Sequence, residues 1–429
     1  MQKEKPESLS LIQSPPSLSR VRKWLDFVWI LVPVAFLATA LGLLQPGRSC
    51  AYLGTDFRGY YASAQIALKY GFSQVYDQEL QNEFQDNLLM HCPDGSFSPP
   101  LLHVSMPYLP VFVLLFVPLT LFGYTTSYLF FSILNLVVLA GYLLRFYKAL
   151  GIKPSFYKLL EWFVCLPVLS NLVLGQMNIF LVVCFGEFIL ASLNGKQVRS
   201  GGWLAGMMIK PYTLILLLPG LAVSQRWRVL FGFAAGVVTV FGGSILLAGV
   251  DGIIASLNLA IRFAGSLIHT GPSMMNWRAL ALNLKALLPD WLSWGIAIFG
   301  MVVVSAIILR EWYQFKPEKG NRFFLLALST LAATFTLSWH SHFYLMLLLI
   351  PILASMDHLH QIPSSLLAVW VFAPLGLYVL FSFKDENLAR NMLGLGYFGF
   401  NLILLTWAIR YQRRETSPPK LEAHAGVVQ

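Results

Sequence analysis

Apolar residues run in long blocks along this chain, near 25–44, 106–123, 126–146, 159–174, 178–194, 202–223, 229–249, 291–309, 323–338, 343–356, 364–382 and 394–409. Pro, Gly and charged residues punctuate the blocks, and strand-like alternation is absent. Most blocks approach or reach the roughly 20 residues that a helix needs to cross a bilayer. A backbone in lipid must satisfy its own hydrogen bonds, so the pattern predicts helices. Two insertions interrupt it. The long one, 45–105, is polar; the second, 250–290, is moderately polar and reads as a loop. Residues 1–24 are polar and rich in Pro and Ser, and end in Arg20, Arg22 and Lys23. Ala38-Thr39-Ala40 resembles a signal-peptidase site, but the run continues apolar to Leu44. The block 25–44 therefore reads as a retained signal-anchor helix with its N-terminus in the cytoplasm.

Composition agrees with the blocks. Of 429 residues, 57% are hydrophobic and 12% charged, and the mean hydropathy is +0.65. Soluble domains carry about 25% charged residues. A disordered chain, a soluble enzyme and a single-span receptor are excluded, and an all-α polytopic membrane protein is predicted. The net charge of +10 does not point to nucleic acid, because the basic residues sit in short loops and tails between apolar blocks. There they act as orientation signals under the positive-inside rule.

Loop charge then tests the topology. The first helix leaves the cytoplasm, so 45–105 lies outside. If every block crossed once, Arg145, Lys148, Lys153 and Lys158 would lie outside, and so would Lys196 and Arg199. Two changes repair this. The run 106–123, interrupted by Pro107, Pro110 and Pro118, stays in the outer interface. The run 202–223 enters and returns as two half-helices around Lys210-Pro211. The outcome is about twelve crossings with both ends cytoplasmic. Irregular backbone at membrane depth is tolerated where it is buried in protein or lines a cavity, so an outward cavity is expected near Lys210.

The candidate chemistry falls on the outer side. The outer insertion holds Asp56, Asp77, Glu79, Glu83, Asp86 and Asp94, six of the chain's twenty carboxylates. Asp56 opens an amphipathic stretch that ends near Gly71. It has two readings, a helix N-cap or a general base. Three polar interruptions share its side: Gly175-Gln176-Met177-Asn178, Lys210-Pro211 and Ser338-Trp339-His340-Ser341-His342. An intramembrane ionisable residue is a functional hypothesis by default. The four cysteines lack CxxC spacing; Cys165 and Cys184 read as packing residues, and Cys50 and Cys92 share the outer loop and could pair there.

At these residues the chain resembles glycosyltransferase family 87, the polyprenyl-phosphate-mannose-dependent mannosyltransferase-like proteins of the GT-C superfold. The matching pieces, in order, begin with Asp56-Phe57 and Tyr60-Tyr61, Gly71, Val75-Tyr76-Asp77 and Ser98-Pro99-Pro100. Gly175-Gln176 with Asn178, Gly202–Pro211 before Arg226-Trp227-Arg228, Asn276-Trp277-Arg278, and Ser338-Trp339 to His342 and Pro351 follow. The resemblance spans roughly 25–410. It implies a GT-C-like transmembrane domain over 25–411 with its first extracytoplasmic loop and interfacial segment at 45–125. Cytoplasmic tails at 1–24 and 412–429 flank it. It further implies sugar transfer, mannose first, from a polyprenyl-phosphate donor to an extracytoplasmic glycan or glycolipid at a cell membrane. Asp56 takes the position of the catalytic base. Lys210, Arg278, His340 and His342 become candidates for the donor phosphate, the family histidine falling on either His340 or His342. Tyr60, Tyr61, Gln176, Asn178 and Asn276 become candidates for substrate contact. No cofactor is expected, and no metal constellation is visible. A secondary transporter, with its broken helices, and a non-catalytic lipid or glycan assembly protein are the competing classes.

Overall fold

The computed structural model describes residues 54–89, 103–154, 156–266, 271–315, 321–359, 361–382, 384 and 386–416. The signal-anchor block, the Cys50–Cys92 pairing, Asp94 and the terminal tails, apart from 412–416, lie outside the described residues. Those described are all helical, with no strand among them. In chain order the helices are α1 (Thr55–Tyr70), α2 (Gln78–Leu89), α3 (Pro110–Val113), α4 (Tyr124–Ala149), α5 (Phe156–Phe163), α6 (Leu166–Leu174), α7 (Asn178–Leu193) and α8 (Gln197–Ala205). They continue with α9 (Leu217–Val223), α10 (Trp227–Ser266), α11 (Trp277–Leu284), α12 (Asp290–Gln314), α13 (Asn321–Leu337), α14 (Ile350–His358), α15 (Ser364–Ser382) and α16 (Glu386–Thr416).

Among the described residues, four stretches are long and apolar enough to cross a membrane: Tyr124–Ala149, Trp227–Arg262, Asp290–Gln314 and Asn387–Arg413. At 1.5 Å per residue, even the shortest of them exceeds the ~30 Å hydrocarbon core. They turn large apolar side chains outward. Ile133 and Val137 on α4, Phe231 and Leu246 on α10, and Phe299 and Val302 on α12 are all exposed. Exposed apolar stripes of this extent fit lipid rather than water. The twelve crossings expected from the blocks do not appear as twelve such helices among the described residues, because several blocks are broken. Pro167 divides the block 159–174 between α5 and α6, and Pro351 begins α14 after a 3-10 segment, Phe343–Leu349. The 250–290 loop needs correction. Helical backbone resumes after a break at Gly249, whose φ of 68° and ψ of 179° are non-helical, and runs to Ser266 as the second part of α10. Likewise α16 runs on to Thr416, past the boundary expected for the C-terminal tail.

The two breaks inferred from loop charge are present. Residues 106–123 form only α3 and a 3-10 turn, Val117–Leu121. Block 202–223 becomes α8, 3-10 turns Gly206–Ile209 and Pro211–Leu214, and then α9. Lys210 is the non-helical joint, with φ −132° and ψ 75°. Pro211 disfavours helical dihedrals at the residue before it and offers no N–H of its own.

The core lies between these elements. Helix α13 and the segment Phe343–Leu349 are buried almost all round, which marks an interior position. Helix α13 packs against α16, α12 and α7, and Phe343–Leu349 against α6 and α7. The start of α1 is pinned by Phe57, whose ring stacks on Phe131 at 5.2 Å and meets Phe116 edge-on at 6.3 Å. The Gly54 N–H donates to Val173 O at 2.8 Å, tying α1 to the end of α6. Next to that tie, Gly175 ends α6 with φ 68°, in the left-handed region. A Cβ there would lie 2.5 Å from the Phe57 Cβ. Gly175→Ala therefore adds both backbone strain and a clash, together at least about 2 kcal/mol. In detergent its thermal unfolding should fall clearly below wild type. Gly141→Ala, in open space on α4, should leave the transition unchanged or raise it.

Candidate active site

Three chain breaks converge on one point. The first turn of α1 carries Asp56, the joint between α6 and α7 carries Gln176, and the Lys210 joint supplies an ammonium. The Gln176 Nε2 donates to Asp56 Oδ2 at 2.6 Å. The Lys210 Nζ donates to Gln176 Oε1 at 2.9 Å, and the Tyr60 hydroxyl donates to the same oxygen at 3.2 Å. The backbone of Gln176 is clamped too: its N–H donates to Asn171 O at 2.8 Å, and its carbonyl accepts from Asn171 Nδ2 at 3.0 Å. Asp56 is not the N-cap. Gly54 holds that place without a side-chain cap bond, and the carboxylate turns to Gln176 instead. It still benefits from the positive helix end, being in the first turn.

The surroundings of Asp56 divide into a floor and a rim. Tyr60, Gln176, Lys210 and Tyr344 are buried. Asp56, Tyr108, Tyr212, His340 and His342 are partly open. The Lys210 ammonium sits 5.3 Å from the centre of the Tyr344 ring. The phenols of Tyr60, Tyr108, Tyr212 and Tyr344 all lie near enough to feel the Asp56 charge. Burial raises the Asp56 carboxyl from its usual range to about 6, while Lys210, the Gln176 hydrogen bond and Arg58 oppose that rise. A carboxylate with such a value takes up and releases protons near neutral pH.

The histidine loop closes one side. The His340 and His342 rings meet edge-on at 4.8 Å; His340 also meets Tyr212 at 5.9 Å, and His342 stacks on Tyr344 at 5.3 Å. Both histidines therefore belong to the site, which leaves the family register between them open. The Arg278 guanidinium lies over the Trp339 ring at 4.0 Å, in the same loop. Lys210 and Arg278 both act on His340, so the two cations share this side.

Other candidates have different work. Asn276 is the N-cap of α11, accepting from Ala279 N–H at 2.8 Å, and its Nδ2 donates to Ser338 O at 2.7 Å. One end of its amide caps α11 and the other braces the histidine loop. The Tyr61 hydroxyl donates to Phe122 O at 2.7 Å and fastens the 106–123 segment to α1. Asn178 is fully buried at the start of α7, and no hydrogen-bond partner is found for either end of its amide among the described residues. Asp77 caps α2 through bonds from Glu79 N–H and Leu80 N–H at 2.8 and 3.1 Å. Tyr108, Tyr212 and Tyr344 went unremarked in the sequence. Each neighbours a break or polar interruption, where a ring with a polar tip has both apolar and polar partners. No group of three side chains able to hold a metal ion occurs among the described residues.

The chain matches no curated protein and no solved structure. The model of glycosyltransferase family 87 matches residues 107–351, which include Gln176, Lys210, Arg278 and both histidines, and more than half of the chain. The chain belongs to glycosyltransferase family 87.

Proposed function

We propose that this glycosyltransferase moves a sugar from a polyprenyl-phosphate donor to a glycan or glycolipid hydroxyl on the extracytoplasmic side. Mannose is the first candidate sugar. The observation that carries the reading is the Asp56–Gln176–Lys210 chain, a base and a cation held within one amide's length. The acceptor oxygen attacks the anomeric carbon, and its proton passes to Asp56. The bond from that carbon to the phosphate oxygen breaks, leaving the electron pair on the lipid phosphate. A phosphate leaves as an anion, so it needs cationic stabilisation rather than an acid, and Lys210 and Arg278 suit that task. Attack opposite the leaving group inverts the anomeric centre. The tyrosine ring wall fits a sugar, offering apolar faces and hydroxyl tips. Family membership favours this reading over a transporter, although both use broken helices.

Asp56→Asn keeps the hydrogen-bond acceptor and removes the base. Transfer should fall at least about a hundredfold with the unfolding temperature near wild type. In wild type, transfer should decline as pH falls below about 6, where the Asp56 carboxyl becomes protonated. An active Asp56→Asn protein would move the base to another carboxylate.

Lys210→Met should weaken binding of a polyprenyl-phosphate sugar about ten- to a hundredfold, the range for a lost charged hydrogen bond. Unchanged affinity in a lipid-binding assay would remove Lys210 from the phosphate site.

Orientation has its own measurement. A cysteine placed at the exposed Lys153 should resist an impermeant thiol reagent applied outside the cell and react after permeabilisation. Efficient labelling from outside would put the site on the wrong face.

A further inference from the structure

Asp56 and Lys210 carry opposite charges in one buried region, yet the ion pair they would ordinarily form is not what joins them. The Gln176 amide lies between them, with its N–H end on the carboxylate and its carbonyl end on the ammonium and the Tyr60 hydroxyl. Only this orientation works. Turned over, the amide would aim its N–H at an ammonium and its oxygen at a carboxylate. The side chain is buried, and its backbone is held from both sides by Asn171 after the left-handed turn at Gly175.

We propose that Gln176 is a positioning residue, a neutral spacer that holds the Asp56 carboxylate and the Lys210 ammonium apart so that neither quenches the other before substrate arrives. The proposal rests on the reading of Asp56 as base and Lys210 as phosphate cation. In direct contact, the ammonium would hold the carboxylate's lone pairs and have less charge to offer a phosphate. Through the amide, each charge polarises the same dipole and stays available on its other side. The groups that face Asp56 are Arg58 and Tyr60 from α1, Lys210 and Tyr212 from the broken segment, Tyr108 from the run before α3, and Tyr344.

The test replaces the spacer with a titrating isostere. In Gln176→Glu the new carboxyl faces Asp56 at hydrogen-bond distance, and two carboxylates so placed share a proton. Infrared spectra of the purified full chain at pH 7.5 should show a protonated-carboxyl band in Gln176→Glu. The band should be absent from wild type and from Gln176→Glu combined with Asp56→Asn, where Lys210 keeps the new carboxyl ionised. The acidic limb of transfer in Gln176→Glu should move up by at least about one pH unit. A purely structural glutamine would lower transfer equally at every pH. A Gln176→Glu spectrum without the band overturns the proposal, as does a band that survives the Asp56→Asn change. The infrared arm needs no turnover, so a coupled pair in a protein without transfer would sustain the spacer and sink the proposed function. Should Gln176→Glu fail to fold, nitrogen-labelled glutamine in wild type gives the same information. One side-chain amide resonance should shift with a midpoint near pH 6 and stay fixed in Asp56→Asn. No such resonance in wild type would overturn the spacer.

Discussion

An ammonium and a carboxylate taken out of water must each be met by polar partners, or the loss of hydration costs several kcal/mol per ion. In this protein a single glutamine amide meets both. Its two ends match the two charges, and Tyr60 adds a second donor to the carbonyl end. Much of the surrounding structure serves to keep that amide still. Phe57 wedges the start of α1 among aromatic rings, and Gly54 ties it to the end of α6. Gly175 makes the turn that aims Gln176 at Asp56, and Asn171 holds the turn from within.

The site therefore arises where helices fail rather than where they run. A continuous membrane helix satisfies its own backbone and offers only a side-chain surface. At the α6–α7 joint, at Lys210-Pro211 and at residues 338–342, the ladder is interrupted, and the freed groups are taken up by neighbours. Thr213 Oγ1 donates to the Lys210 carbonyl at 2.7 Å, and Met275 N–H donates to Ser341 O at 2.9 Å. Asn276 braces the histidine loop in the same way. These clamps explain why asparagine and threonine stand beside the breaks. Helices α4 and α12, and α10 on either side of its break at Gly249, keep their outward apolar surface for lipid.

Charge and proline made part of this legible in the sequence. The basic clusters demanded that 106–123 and 202–223 be irregular, and prolines at 107, 110, 118 and 211 showed where. The convergence of Asp56, Gln176, Lys210 and the histidines followed from placing the interruptions on one side. The N-cap reading of Asp56 failed because a left-handed glycine can begin a helix without a capping side chain, which freed the carboxylate for a partner 120 residues away. Asn276 and Tyr61 have tertiary partners that the sequence did not show. Their polar groups bond to carbonyls at Ser338 and Phe122, contacts that no local pattern announces. The helical stretch from Gly249 to Ser266 was hidden because polar residues on an exposed helix face resemble a loop when counted along the chain.

Carboxylates elsewhere in the fold show what the Asp56 environment contributes. Glu187 lies nine residues along α7 from Asn178, roughly 14 Å from the end nearest the site. Its two oxygens accept from Arg145 at 2.9 and 3.0 Å, and Arg199 approaches at 3.6 Å. Glu311 is held by Arg413 at 2.6 Å. Guanidinium partners of this kind make strong, charge-assisted hydrogen bonds to a carboxylate. Such pairs fasten helices together. Asp56 has an amide where those residues have an arginine, and the Lys210 ammonium bonds the far end of that amide. Hydrogen bonding orients the carboxylate, and burial keeps its proton affinity near neutrality. What sets Asp56 apart from Glu187 and Glu311 is thus the kind of donor placed against it, the Gln176 amide in place of a guanidinium.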